Sequence, residues 1–267
     1  MVEYAGLLEK ALLIVEKTRV FIADHAGKVT ADQVEQKALN SLVSFVDKGA
    51  EQILVDGLQL LLPNSGFVTE EETVATQRKE YTWIIDPLDG TTNFLNNVPH
   101  YSISVALQHE GVTVLGIVQE VSSGELWTAI VDGGAFMNGH KISVTSKPMH
   151  DVLIATGFPY TNNYDSDRLF SVIREWLMQT RGMRRMGSAA LDLAYVACGR
   201  FGAYYESSLN AWDLAAGALI VQEAGGIVTD FQGKDQFLKN GHIISCAPHI
   251  YEQVFANVNT HLGDIFE

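Results

Sequence analysis

Residues 83–94 read WIIDPLDGTTNF, an apolar, strand-like run that leads into two carboxylates. Asp86 and Asp89 are separated by a leucine and by Pro87, which has no backbone N–H and a restricted φ angle. We expect the chain to leave the strand at this proline, so that Asp86, the carbonyl of Leu88 and Asp89 converge as oxygen ligands. Hard cations prefer oxygen ligands of this kind. The segment therefore predicts a strand that ends at a metal site.

Gly90 and Thr91 predict that an anion-binding site lies next to the metal site. A glycine permits close approach to the backbone, and the N–H groups of Gly90 and Thr91 can hold phosphate oxygens beside the threonine hydroxyl. The alternative is an Asp-rich turn that caps a helix, because Asp and Gly are common in turns. The ordered combination of strand, carboxylates, glycine and threonine favours the metal and anion site.

The apolar pattern outside this segment predicts a chain of alternating helices and strands. Spacing of three to four residues predicts helices at residues 4–23, 47–61, 167–179, 189–198 and 212–223 and from residue 249 onward. Short β-branched and aromatic runs predict strands at residues 66–69, 81–85, 101–108, 112–120, 125–131, 203–206, 226–230 and 242–246. A run of strands followed by mixed helices and strands indicates an α/β (α+β) fold of layered sheets flanked by helices.

Two separate segments resemble the signatures of the inositol monophosphatase family. Residues 86–94, DPLDGTTNF, resemble the first signature, and residues 212–226, WDLAAGALIVQEAGG, resemble the second. VTEE at residues 68–71 and GSAA at residues 187–190 stand in the family's order, so the resemblance spans most of the chain. It implies a layered αβαβα sandwich of the inositol monophosphatase and fructose-1,6-bisphosphatase type. Residues 1–267 would then form one catalytic domain of two closely packed lobes, roughly 1–150 and 151–267.

The same resemblance implies a set of oxygen ligands for two to three Mg2+ ions. The set consists of Glu70, Asp86, the Leu88 carbonyl, Asp89 and Asp213. Taken alone, the run of three glutamates at residues 70–72 is typical of a solvated loop. Asp213 alone is typical of a helix cap.

The catalytic residues implied by the resemblance are Thr91, Asp47, Glu70 and Glu71. Asp47 would orient the Thr91 hydroxyl and so help to deprotonate an attacking water, with Glu71 supporting Glu70. From the residues alone, Asp47 can also be read as a helix-cap aspartate. Contacts to the substrate are expected from Asp89, Gly90, Thr91, Gly187, Ser188, Ala189 and Glu206. The chain departs from the family pattern at Thr69, where a glycine is usual, and at Ser44, where a threonine is usual.

Composition excludes several other classes of protein. The net charge of −14 disfavours a nucleic-acid backbone as partner, because phosphates would meet a repulsive surface. The histidines lack zinc-ligand spacing, and no P-loop, nucleophile elbow or dinucleotide fingerprint occurs. The start of the chain lacks the pattern of a signal peptide and no segment reads as a membrane helix, so a cytoplasmic location is expected.

The resulting hypothesis is Mg2+-dependent hydrolysis of a phosphate monoester by an activated water. The resemblance favours myo-inositol 1-phosphate as substrate, with a homodimer and inhibition by Li+. The signatures leave open the same chemistry on fructose 1,6-bisphosphate, a nucleotide 3′-phosphate or the 2′-phosphate of NADP. A non-catalytic regulatory partner protein with a vestigial pocket is the alternative from another class.

Overall fold

A computed structural model describes residues 3–38, 41–158 and 165–264 of the chain. Its helices are α1 (Tyr4–His25), α2 (Phe45–Leu61), α3 (Thr91–Leu95), α4 (Ser166–Gln179), α5 (Ala189–Ala197), α6 (Ala211–Glu223), α7 (Phe237–Asn240) and α8 (Tyr251–Leu262). Its strands are β1 (Val34–Ala38), β2 (Ser41–Ser44), β3 (Gly66–Thr69), β4 (Tyr81–Asp89), β5 (Ser102–His109), β6 (Val112–Glu120), β7 (Leu126–Ile130), β8 (Gly134–Met137), β9 (His140–Lys141), β10 (Leu153–Thr156), β11 (Gly182–Arg184), β12 (Ala203–Glu206), β13 (Ile227–Thr229) and β14 (Ile243–Cys246). In this part of the chain, no helix combines the length and the apolar character needed to cross a membrane.

Two sheets organise the molecule. The first has seven strands in the order β3-β4-β5-β6-β7-β8-β9, and it is antiparallel except where β3 runs parallel to β4. The second has five strands in the order β11-β10-β12-β14-β13, with β10 parallel to both of its neighbours. Consecutive strands thus build the first sheet as a meander, whereas helices connect the strands of the second.

Helices separate and cover the two sheets. α1 and α2 pack on one face of the seven-stranded sheet around Leu54, Trp83 and Ile103. α5 and α6 pack between the two sheets, and α4 and α8 cover the outer face of the five-stranded sheet around Trp176 and Ile244. The order of layers is helix, sheet, helix, sheet, helix, which confirms the predicted layered α/β sandwich. The division into two lobes stays a prediction.

The central helix α6 is buried on all sides from Leu214 to Val221. Its sequence is rich in alanine and glycine, so neighbouring backbones can approach closely. Gly116 of β6 illustrates this approach, because a Cβ atom placed there would lie 2.8 Å from the carbonyl oxygen of Ala216. Small residues therefore allow α6 to carry its first turn to the site described below.

Strand β4 continues beyond the predicted end at Ile85 and reaches Asp89. Asp86 pairs with Ser104 and Asp89 pairs with Ser102, so two residues of β4 lie opposite one residue of β5. This is a β-bulge, and Pro87 fits it because a bulge leaves a residue without a ladder hydrogen bond. Residues three apart in a regular strand point to opposite faces, but the extra residue returns Asp89 to the face of Asp86.

The hairpin formed by β1 and β2 has no counterpart in the predictions. Its residues, 34–38 and 41–44, include several polar side chains and show no clean alternation. Strands of this kind give no periodic signal, and the pairing seen between them is a non-local property.

Replacement of Gly116 by alanine tests the close packing between β6 and α6. We expect Gly116→Ala to destabilise the fold by about 1–3 kcal/mol, because the added methyl group overlaps a backbone carbonyl that cannot rotate away. Gly6→Ala is the matched control, since a Cβ atom at Gly6 has no neighbour within 4 Å. Urea unfolding of both variants measures the difference, and equal midpoints would contradict the packing described.

Candidate functional site

The ends of β3, β4, α5 and α6 enclose a cavity of about 170 Å3. Most of the residues predicted from the sequence line it: Glu70, Asp86, Leu88, Asp89, Gly90, Thr91, Gly187, Ser188, Ala189, Glu206 and Asp213. Asp47 and Glu71 do not line the cavity. Asp47 is hydrogen-bonded to the lining residue Thr91, and Glu71 follows Glu70 in the loop after β3.

Three carboxylates meet at the floor of the cavity. One oxygen from each of Asp86, Asp89 and Asp213 lies within 4.8 Å of the other two. Burial, followed by the negative charges of neighbouring carboxylates, raises the pKa of Asp86 and Asp213 well above the ordinary aspartate value. Burial also raises the pKa of Asp89. Like charges at this separation repel one another strongly, so the cluster favours a cation between them.

Asp89 is held in place by the start of α5. Its Oδ2 atom accepts a hydrogen bond from the Ser188 hydroxyl at 2.6 Å and another from the Ala190 N–H at 2.8 Å. Ser188 is also the N-cap of α5. The aspartate therefore lies at the positive end of this helix, which favours its ionised form.

Asp213 both caps a helix and belongs to the carboxylate cluster. It is the third residue of α6, and its Oδ2 atom accepts a hydrogen bond from the Asn210 N–H at 2.6 Å. The cap interpretation and the ligand interpretation, which are alternatives from the sequence alone, are therefore compatible, because a carboxylate has several acceptor positions.

Asp47 is bonded on both of its oxygens. Oδ2 accepts from the Ser44 N–H at 2.8 Å and from the Ser44 hydroxyl at 2.6 Å, which closes the first turn of α2. Oδ1 accepts from the Thr91 hydroxyl at 2.8 Å. Burial raises the pKa of Asp47, and its hydrogen bonds oppose that rise. Asp47 thus orients the Thr91 hydroxyl, and the lone pairs of the hydroxyl oxygen can accept a hydrogen bond from a group in the cavity.

Gly90 has a φ angle of 97°, in the left-handed region that favours glycine. A Cβ atom here would lie 3.1 Å from the Gly187 carbonyl oxygen and 3.2 Å from the His100 carbonyl oxygen. A side chain at this position would be strained by the φ angle and would have tight contacts with both carbonyl oxygens. The glycine therefore brings β4, the start of α3 and the residues before α5 together.

Another part of the cavity wall is formed by Glu206 and Arg185. The Tyr204 hydroxyl donates a hydrogen bond of 2.6 Å to the Glu206 carboxylate, and burial raises the pKa of Glu206 to about 7. The Arg185 guanidinium lies 5.9 Å from the centre of the Phe158 ring. Paired donor and acceptor groups of this kind suit the hydroxyl groups of an alcohol.

Sequence reasoning missed three residues that shape the site. Arg185 lines the cavity, and the Asn93 side chain donates 2.8 Å hydrogen bonds to the carbonyls of His100 and Met186. Glu51 is completely buried on α2 and binds the loop that follows Glu70. The available signal for Glu51 was its position four residues after Asp47, which places both carboxylates on one face of the helix.

The donor set suits a hard cation. Carboxylates and a backbone carbonyl are oxygen donors, and several of them lie close together with raised pKa values. Such a cation could be shared by Asp86, Asp89 and Asp213. The same cavity is also lined by Glu70 and Leu88. The arrangement can therefore hold divalent cations together with an anion.

The whole chain is similar to known proteins. The sequence model of the inositol monophosphatase family matches residues 7–262. The Nus factor SuhB of Escherichia coli K12 is 36% identical over 261 residues, which cover 97% of each chain. The Nus factor SuhB of Pseudomonas aeruginosa is 39% identical over 235 residues, which cover 86% of this chain and 87% of the relative.

Solved structures show the same fold. The extragenic suppressor protein suhB from Bartonella henselae superposes with a TM-score of 0.91 at 34% identity, over 96% of this chain and 100% of that chain. An IMPase from Thermotoga maritima superposes with a TM-score of 0.88 at 32% identity, over 97% of this chain and 98% of that chain.

The raised pKa of Glu206 predicts a dependence of stability on pH. The folded protein binds this proton more tightly than the unfolded chain, so stability falls as pH rises from the ordinary value of 4.5 through about 7. In the presence of chelator, titration of Glu206 should lower the free energy of unfolding of the wild type by an amount on the order of 2 kcal/mol between about pH 5 and pH 8. The Glu206→Gln variant should lack this decrease. Thermal unfolding across this range measures the slope.

The exposed Glu252 on α8 provides the control for this measurement. Glu252→Gln should retain the wild-type slope. A Glu206→Gln slope equal to that of the wild type would show that Glu206 titrates alike in the folded and unfolded states.

Proposed function

Because the chain belongs to the inositol monophosphatase family, we propose that it is a metal-dependent phosphatase that hydrolyses a phosphate monoester, myo-inositol 1-phosphate in the first instance. The family acts on phosphate monoesters and is generally metal-dependent. The observation that carries the proposal is the combination of three clustered carboxylates with a hydrogen-bonded Thr91–Asp47 pair on one cavity.

The proposed metal is Mg2+, at two to three ions per site. Glu70, Asp86 and the Leu88 carbonyl would hold one ion, and Asp86, Asp89 and Asp213 would hold the second. A third, weaker position is proposed near Glu70. When bound, Mg2+ supplies Lewis acidity that lowers the pKa of a water and neutralises charge on the phosphate and the leaving oxygen.

The protein's own part in the reaction is to orient a water and accept its proton. Thr91 donates its hydroxyl hydrogen to Asp47 Oδ1, so the lone pairs of its oxygen can accept a hydrogen from a water in the cavity. That water would give up one proton to the Thr91–Asp47 pair as it attacks phosphorus opposite the ester oxygen. The phosphorus–oxygen bond to the alcohol would then break, and the alcohol oxygen would take a proton from a second water in the cavity. Glu70 would help to deprotonate the water, supported by Glu71.

The remaining lining residues would bind the substrate. The N–H groups of Gly90 and Thr91, at the start of α3, are proposed to bind phosphate oxygens. Gly187, Ser188 and Ala189 are proposed to contact the ester side, and Glu206 to accept hydrogen bonds from hydroxyl groups of the alcohol. A polyol suits this wall because hydroxyl groups both donate and accept hydrogen bonds. Fructose 1,6-bisphosphate, a nucleotide 3′-phosphate and NADP are the alternative substrates for the same chemistry.

Phosphate release by the purified protein tests the proposal. With Mg2+, inositol 1-phosphate should be hydrolysed faster than fructose 1,6-bisphosphate, a nucleotide 3′-phosphate or NADP, and chelator should abolish the activity. Preference for one of the other three esters would retain the chemistry and change the substrate. Absence of activity on all four would contradict the proposed enzyme.

Thr91 variants test the proposed proton transfer. Thr91→Ala should reduce kcat about 100-fold or more at saturating Mg2+, because the hydroxyl that accepts the water's hydrogen is lost. Thr91→Ser keeps that hydroxyl and should retain most of the activity. Steady-state kinetics with the preferred ester measures both, and a Thr91→Ala enzyme with wild-type kcat would exclude this role.

The names of the relatives favour a second candidate function. Proteins that align over most of this chain are named Nus factors, which does not describe a phosphatase. We therefore also propose a role as a partner protein that does not depend on catalysis. Replacement of the chromosomal gene by an Asp89→Asn variant tests this role. If deletion of the gene impairs growth, normal growth of an Asp89→Asn strain without phosphatase activity would assign the role in growth to partner binding. A growth defect equal to that of the deletion would assign it to catalysis.

The homodimer and the inhibition by Li+ stay proposals of the same kind. Light scattering of the purified protein and phosphate release in the presence of Li+ measure them directly.

A further inference from the structure

We propose that Glu51, which lies outside the cavity, is a positioning residue for the metal site, because it fixes the loop that carries Glu70 and Glu71. This inference rests on the proposed function. It assigns to a buried glutamate of α2 the task of holding a cation ligand in place before any cation is bound.

Three hydrogen bonds reach the Glu51 carboxylate from one short loop. Oε2 accepts from the Glu71 N–H at 2.7 Å. Oε1 accepts from the N–H and from the hydroxyl of Thr73, each at 2.7 Å. A carboxylate that accepts several short hydrogen bonds stabilises the backbone that donates them.

The loop adopts an unfavourable conformation that these bonds explain. Glu72 has a φ angle of 52°, in the left-handed region that residues other than glycine seldom adopt. This conformation turns the N–H groups of Glu71 and Thr73 toward the same carboxylate. The bonds to Glu51 therefore offset the cost of the turn at Glu72.

Glu70 is bounded by two fixed points. On one side its own N–H donates to the Ile85 carbonyl at 3.2 Å, which ties it to the strand that ends in the carboxylate cluster. On the other side the next N–H, that of Glu71, is bound by Glu51. The backbone of Glu70 is therefore held on both sides, which fixes the point from which its side chain reaches the cavity.

Helix α2 connects this loop to the proposed proton acceptor. Asp47 and Glu51 are one helical turn apart and are both buried. Asp47 holds the Thr91 hydroxyl, and Glu51 holds the segment next to Glu70. One helix thus anchors both the Thr91 hydroxyl and the backbone next to Glu70.

Replacement of Glu51 by glutamine removes this function with little change in volume. A glutamine side chain has only one acceptor oxygen, so its NH2 group must face either the Glu71 N–H or the Thr73 N–H. One loop N–H is then left without an acceptor, which costs more than the loss of a solvent-exposed bond.

Three variants separate positioning from general stability. Glu51→Gln disturbs the bonds from Glu71 and the bonds from Thr73. Thr73→Val removes only the hydroxyl bond and lies on an exposed residue, so it remains informative if Glu51→Gln fails to fold. Asp56→Asn is the control, because it makes the same change of charge on an exposed position of the same helix.

The first readout is hydrogen exchange in the metal-free protein. Mass spectrometry of peptides covering residues 70–76 should show faster exchange in Glu51→Gln, a smaller increase in Thr73→Val and wild-type exchange in Asp56→Asn. Exchange in peptides from α6 should be unchanged in all three. Wild-type exchange of the loop in both Glu51→Gln and Thr73→Val would overturn the proposal.

The second readout is cation binding. Titration with Mn2+, followed by electron paramagnetic resonance, should show about tenfold weaker binding to Glu51→Gln, as is usual when a residue that supports a ligand is lost. The Mg2+ concentration for half-maximal phosphate release should rise by a similar factor, with an Asp56→Asn value equal to wild type. Unchanged Mn2+ and Mg2+ dependence in a folded Glu51→Gln protein would overturn the proposal.

The two proposals fail in different ways. A wild-type protein that hydrolyses no ester contradicts the proposed function, whereas hydrogen exchange and Mn2+ binding still test Glu51. If the wild type is active and the Glu51→Gln variant has wild-type hydrogen exchange and cation binding, only the positioning role is contradicted.

Discussion

The repulsion among closely spaced carboxylates is the constraint on which the rest of the site depends. Asp86 and Asp89 come from the end of β4 and Asp213 from the first turn of α6, yet their oxygens meet within 4.8 Å. Without a cation this arrangement is unfavourable, so the surrounding structure has to supply the free energy that holds it together. Helices packed between two sheets provide that rigidity, because a close-packed interior resists small displacements.

Two helices begin with the same hydrogen-bonding arrangement of an aspartate. Asp47 on α2 and Asp213 on α6 are each the third residue of a helix, and each accepts the N–H of the residue before the helix. The second oxygen of each is left for the site. Because the N-terminus of a helix favours negative charge, local helix formation and site formation support one another rather than compete.

The elements with strong periodicity could be predicted from the sequence, and the family resemblance supplied most of the predicted site residues that line the cavity. α4, α5, α6 and most strands of the two sheets lie within a few residues of their predicted bounds. The extension of β4 to Asp89 could not be predicted, because a bulge depends on the register with β5. Glu51 was also missed, since a glutamate on an amphipathic helix is read as solvent-facing until the loop that it binds is placed. The contacts of Arg185 and Asn93 likewise depend on chain segments far apart in sequence.

Because of the bulge in β4, a substitution at position 88 and a deletion of that residue have different consequences for the site. The Leu88 side chain packs in the core, while its carbonyl oxygen lies 3.0 Å from the Thr91 hydroxyl oxygen. Another apolar side chain of similar size preserves both contacts, but loss of the residue would turn Asp89 to the opposite face of the sheet. Over evolutionary time this segment is therefore open to substitution at position 88 and closed to insertions and deletions.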